Sequence, residues 1–273
     1  MQKKIYLIVA VVFISCATYL GKSDKLIDYV DPFIGSGGHG HVFVGANVPF
    51  GGVQVGPTNF NKGWDWSSSY HHTDSIVKGF CHINVSGTGM SDLGELTIMP
   101  ATGKLMTGAG TQNNHMAGYS SLYYKDKEHA SAGYYKVHLE RYDIDVELTA
   151  TERVGLHKYR FPKSDQSRII IDLGEGSADR PTETYLKKIN DTLFQGHRFS
   201  SGWARDQREY FSLIISKPVD DFILYDRHKK FKGEERKGDY VKGFLEFSTK
   251  SNENIMVKMG ISTVSSKNAL ENM

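Results

Sequence analysis

The stretch Tyr134-Tyr135-Lys136-Val137-His138-Leu139-Glu140-Arg141, with Ile144-Asp145-Val146-Glu147-Leu148-Thr149-Ala150-Thr151 and Val154-Gly155-Leu156-His157-Lys158-Tyr159-Arg160-Phe161 after it, decides the fold. Within these runs apolar and polar residues alternate, so an extended chain shows one face to a core and the other to water; a helix would need apolar residues three and four apart. Turn residues separate the runs, as antiparallel neighbours require. Working outward, 168–173, 192–199, 210–216, 221–225, 240–248 and 255–262 read as further strands, with no helical-period segment between them. That excludes a parallel fold built of strand–helix–strand units. Many short strands at roughly ten-residue spacing predict an all-β fold, a large two-sheet antiparallel β-sandwich.

Composition agrees. The 273 residues are 39% hydrophobic and 23% charged, which supports a real core, and 28 Gly, 15 Tyr and 14 Phe against 7 Pro favour turns and aromatic-bearing strands. The first residues read as a processing signal instead of fold. Lys3 and Lys4 precede an apolar run, 5–14, too short to span a bilayer, and Ser15-Cys16 follows. This order predicts a lipoprotein-type signal peptide over 1–15, cut before an acylated Cys16, and hence an exported protein held at the periplasmic or cell surface of a bacterium by a lipid anchor. Removing Lys3 and Lys4 takes the formal charge from +2 to zero, which argues against nucleic acid as a partner. With Cys16 carrying lipid, Cys81 has no partner for an intramolecular disulfide.

Residues 31–100 differ in texture: they hold thirteen Gly, two Trp and five of the eleven His, with short strands expected only at 52–56, 79–85 and 93–99. Long Gly-rich loops on a rigid scaffold often carry function. Residues 101–133 read as a polar surface connection. A sugar offers hydroxyls around an apolar ring face, so its site needs an aromatic platform beside fixed polar groups. Trp64-Asp65-Trp66 offers both, although in an extended segment the indoles and the carboxylate point to opposite faces unless the chain turns. His39 and His41 flank Gly40 nearby, and His71, His72 and His82 complete a set that could be read as zinc ligands. No His-Glu-x-x-His helix or Cys pair accompanies them, and a single His more often satisfies buried backbone than binds anything. Asp65, Asp74, Asp92 and Glu95 could supply the paired carboxylates of glycoside hydrolysis, but Asp92 reads more simply as a turn acceptor. The charged loop Arg205-Asp206-Gln207-Arg208, after Trp203, reads as a contact surface.

Taken in order, Asp31-Pro32-Phe33-Ile34-Gly35, Gly37-Gly38-His39-Gly40-His41, Pro49-Phe50-Gly51, Gly63-Trp64-Asp65-Trp66, Ser69-Tyr70-His71, Gly79-Phe80, His82, Ser86-Gly87-Thr88-Gly89, Asp92-Leu93-Gly94 and Gly133-Tyr134-Tyr135 resemble the opening of family 92 glycoside hydrolases, an α-mannosidase family. Val44 and Met90 depart from the pattern, where a Pro and a small residue or Cys are expected. The resemblance implies an N-terminal β-sandwich, here 16–264, packed on an (α/α)6 helical domain, with 265–273 beginning a linker helix toward it. It further implies calcium-dependent, inverting, exo-acting hydrolysis of α-mannosides, α-1,2-linked ones foremost, in mannose-rich glycans. The catalytic acid and base and the calcium ligands then belong to the helical domain, so no catalytic residue is expected in this chain. Trp64, Asp65, His39, His41 and His71 are the expected substrate contacts. Two competing readings remain: a stand-alone carbohydrate-binding sandwich without hydrolase activity, and a metal hydrolase built on the His cluster.

Overall fold

The computed structural model describes residues 25–273, so the signal segment and Cys16 lie outside the described residues. The chain divides into two units, Met1–Asp31 and Pro32–Met273. In the first, the described residues form a single 3-10 turn, Leu26–Tyr29, with the Lys25 amide donating to Asp28.

The second unit is the expected two-sheet antiparallel sandwich. One sheet has seven strands, in spatial order Gly56–Thr58, Gly79–Cys81, Thr97–Thr102, Ser164–Asp172, Val241–Thr249, Asp221–Asp226 and Lys229–Phe231. The other has nine: Glu235–Gly238, Arg180–Lys188, Leu193–Ser201, Gln207–Ile215, Glu253–Ser262, Val154–Phe161, Ile144–Ala150, Tyr134–Leu139 and Glu128–Ser131. The pleat produces the alternation read from the sequence: in Leu193–Ser201 every second side chain is buried. Rings from the two inner faces meet, Phe161 on Phe247 at 5.6 Å and Phe194 on Phe222 at 5.3 Å between centroids, in the edge-on and tilted geometries that aromatic pairs favour.

Two expectations need correcting. Arg180–Lys188 is a full strand although it does not read as one, because Pro181 sits at a register irregularity and charged residues crowd both ends. Residues 101–133 are more than a surface connection. Tyr119, Ser120, Ser121 and Tyr123 are buried, Ser121–Leu122 pairs with Ile76–Val77, and the Tyr119 hydroxyl donates to Asp172 at 2.7 Å.

A polar layer lies inside this apolar frame. Arg198 and Glu95, both wholly buried, pair at 2.8 Å, and Asp179 closes on the same guanidinium nitrogen. Arg198 Nε also donates to the Leu173 carbonyl at 3.0 Å. From Glu95 the bonds run on to Ser200, from Ser200 to Gln207 and from Gln207 to Asp92, which accepts the Ala204 amide as well. Asp92 thereby ties together two loops, 86–92 and 202–206, and Gln207 points inward, out of the charged loop that holds Arg205. The chain ends in the helix Ser266–Glu271, N-capped by Ser265, whose hydroxyl accepts the Asn268 amide. Cys81 is a buried free thiol, and no helix among the described residues is long and apolar enough to cross a membrane.

Candidate functional site

Three short segments of the Gly-rich third build one face. The first is a compact turn, closed by the Ser36 amide on the Phe33 carbonyl, the Gly40 amide on Gly37 and the Val42 amide on Gly35. It presents His39 outward, at 75% side-chain exposure, and turns His41 inward at a left-handed φ of 55°. Gly40 is required here, since a Cβ would fall 2.1 Å from the Gly35 carbonyl oxygen.

The second segment resolves the geometric objection raised by the sequence. Trp64–Trp66 is a 3-10 turn, so its side chains fan out instead of alternating. Trp64 stands 58% exposed with His41 edge-on to it at 4.3 Å and His39 tilted over it at 5.2 Å. Asp65 takes a 2.6 Å hydrogen bond from His39 Nδ1 and lies 3.6 Å from His41 Nε2, which is buried and without a hydrogen bond. The bond from His39 holds the Asp65 carboxyl below the usual carboxylate range, with weaker help from the charge of His39 and from His41.

The third segment is the loop that contains Ser86-Gly87-Thr88-Gly89. Its Gly89 carbonyl accepts the Trp64 indole N–H at 2.5 Å, and the Ser67 hydroxyl donates to Thr88 at 2.9 Å. The motif was legible but not this role, because a carbonyl acceptor leaves no signature in side-chain chemistry. A Cβ on Gly89 would lie 2.8 Å from the indole nitrogen and 2.9 Å from Cζ2. Gly89→Ala is therefore expected to displace the Trp64 indole N–H resonance in a 15N–1H spectrum while those of Trp66 and Trp203 stay in place. An unmoved Trp64 resonance would show that the loop does not set the indole. Thr88 and Met90, on either side of Gly89, also line a cleft of about 340 Å³ with Val85, Leu93 and the exposed Trp203.

The remaining expected residues are distributed as follows. His71 stacks on Trp66 at 4.3 Å, behind the exposed face; its Nδ1 accepts from Thr73, which leaves Nε2–H to donate to the Gly38 carbonyl at 3.3 Å. It braces the two turns against each other. Trp66 donates to Asp74, which also pairs with Lys62 at 3.0 Å. His72 meets Phe33, and His82 is deep in the core against His157. The five His thus occupy four places, with His39 and His41 sharing one, and among the described residues no group of three or more His, Cys, Asp or Glu is arranged to hold a metal ion. Asp92 and Glu95 serve the buried layer described above.

The sandwich has known relatives. The sequence family described as Glycosyl hydrolase family 92 N-terminal domain matches residues 29–262. A solved family GH92 α-mannosidase from Bacteroides thetaiotaomicron, in complex with mannoimidazole, is 34% identical with a TM-score of 0.88, over 91% of this chain and 34% of its own. A family GH92 inverting mannosidase of the same bacterium is 22% identical with a TM-score of 0.77, over 92% of this chain and 33% of its own, and shows the fold alone. An uncharacterized secreted glycosidase of Arthroderma benhamiae is 26% identical over 165 residues, 54% of this chain and 20% of its own. The chain thus spans about a third of the length of the matched structures.

Proposed function

The chain belongs to glycosyl hydrolase family 92, as its N-terminal domain, and on that premise we propose that its Gly-rich face forms one rim of the mannoside pocket of an exported α-mannosidase. The observation that carries this reading is Trp64: an exposed indole fixed by the Gly89 carbonyl and flanked by His39, His41 and Asp65. Exposing a large apolar ring is unfavourable in itself, and holding it rigid beside polar groups is what a sugar ring face needs. The solved relative bound to mannoimidazole supports a mannose-like ligand. The secreted relative supports export, and lipid attachment at Cys16 is the anchor proposed for it.

The finer reading is an inverting, exo-acting enzyme with preference for α-1,2 linkages, whose acid, base and calcium ligands lie in a helical domain outside this chain. On that reading the part played by this chain is to bind and orient. Trp64 supplies the platform, His39 and Asp65 the polar contacts, and His71 the support behind them.

Losing the indole removes apolar burial worth about 1–3 kcal/mol, or roughly ten- to hundred-fold in binding. Trp64→Ala, in the chain joined to its helical domain, is expected to lower kcat/KM on an α-mannobioside by that factor with the melting temperature little changed, since the ring is already more than half exposed. Activity within about twofold of the parent would remove Trp64 from the pocket, and a loss that follows the melting temperature would make it a core residue.

A further inference from the structure

We propose that Asp65 is a positioning residue for His39: it holds the Nδ1–H tautomer, so that the imidazole presents a bare Nε2 beside Trp64 as a hydrogen-bond acceptor for a pyranoside hydroxyl. The choice of a sugar hydroxyl rests on the carbohydrate reading above; the tautomer does not.

The geometry is specific. A neutral imidazole carries one N–H, and a carboxylate can only accept, so the 2.6 Å contact between His39 Nδ1 and Asp65 Oδ1 places the proton on Nδ1. The other nitrogen of this largely exposed ring is left without a proton. Asp65 is itself fixed by the Trp64–Trp66 turn, and His39 by the closed turn around Gly40. The charged or titratable groups that face the pair are His41, 3.6 Å from the same oxygen, and His71 behind it.

The consequence for recognition follows from directionality. Every sugar hydroxyl can donate, but a hydroxyl that donates to His39 is free to accept from another group, which gives the ligand a defined hydrogen-bond direction on this rim. A cationic or amide partner in place of His39 could not impose the same sense.

The test is long-range 15N–1H correlation of the imidazoles, in the parent and in two Asp65 variants. The expected result is His39 with its proton on Nδ1, and loss of that fixed tautomer in Asp65→Ala, where the carboxylate acceptor is gone. Asp65→Asn, whose amide can turn either its carbonyl or its NH2 toward Nδ1, is expected to leave a mixture of the two tautomers. A His39 protonated on Nε2 in the parent, or a tautomer unchanged in Asp65→Ala, would overturn the assignment. Adding methyl α-D-mannopyranoside to the chain joined to its helical domain separates the two readings: a shift confined to His39 Nε2 that disappears in Trp64→Ala supports the sugar contact. The Nδ1–H tautomer with no response to mannoside would retain the positioning role of Asp65 and sink the carbohydrate reading of this face.

Discussion

Arg198→Met is expected to cost the domain about 3–5 kcal/mol, enough to bring a fold of ordinary stability close to its limit. The guanidinium is fully buried and joins four places: Glu95, Asp179, the Leu173 carbonyl at the end of a strand of the seven-stranded sheet, and its own strand in the nine-stranded sheet. Removing it leaves two carboxyl groups in the interior without a countercharge. Burial already raises the Glu95 carboxyl, and Asp179 adds to the rise while Arg198 opposes it. The variant can relieve part of its cost by taking up a proton there, so the loss should be larger at pH 8 than at pH 6. Urea unfolding at the two pH values measures both quantities. A loss under about 1 kcal/mol would mean that the cluster contributes little. Replacing Arg198, Glu95 and Asp179 together by apolar residues of similar volume is expected to recover much of the loss, because the penalty comes from charge left unpaired. The functional face depends on the same network: through Ser200 and Gln207 it reaches Asp92, which anchors the loop whose Gly89 carbonyl fixes Trp64.

How much of this is legible in the sequence depends on which physical rule each part obeys. The alternation in 134–161 follows from the pleat alone and led directly to the sandwich. Arg180–Lys188 was hidden because Pro181 and charged termini break the local pattern, and only neighbours on both sides hold the segment as a strand. Tyr119 and Tyr123 were hidden in a stretch of polar composition, since their burial depends on Asp172 and on distant sheets that supply partners. At the candidate site, residue types were readable but not their roles. Trp64 and Trp66 sit two positions apart, yet one is exposed and the other stacks on His71, because the segment turns in a 3-10 helix. Five His in seventy residues looked like one cluster; long-range folding put them in four different environments.

The deepest of those environments sets the second large effect. His82 and His157 are both fully buried, with their Nε2 atoms 2.9 Å apart. The partners fix every proton: His82 Nδ1 donates to the Leu96 carbonyl, its Nε2 must then accept from His157 Nε2–H, and His157 Nδ1 accepts the Tyr159 hydroxyl. The chain Tyr159, His157, His82, Leu96 is complete only while both rings are neutral. An added proton would set N–H against N–H in a dry site. Burial accordingly lowers His82 to about 4 and His157 well below its ordinary value. A basic group whose folded value is depressed contributes stability above its unfolded value, near 6.5, and loses it as pH falls toward the folded one. For His82 alone that is about 3 kcal/mol by pH 4, and His157 adds to it. Glu95 and Glu209, raised to about 8 and about 7 by burial, act with the opposite sign over part of the same range, so the total curve can be nearly flat. The difference between two proteins isolates the pair. The doubly substituted His82→Asn, His157→Gln chain has amides that never titrate, whatever constant offset they add. Relative to it, the parent is expected to lose at least about 3 kcal/mol between pH 6.5 and pH 4, read from urea midpoints at half-unit steps. A difference that stays constant across that window would show that the two imidazoles take up protons without cost, and the neutral buried chain would have to be abandoned.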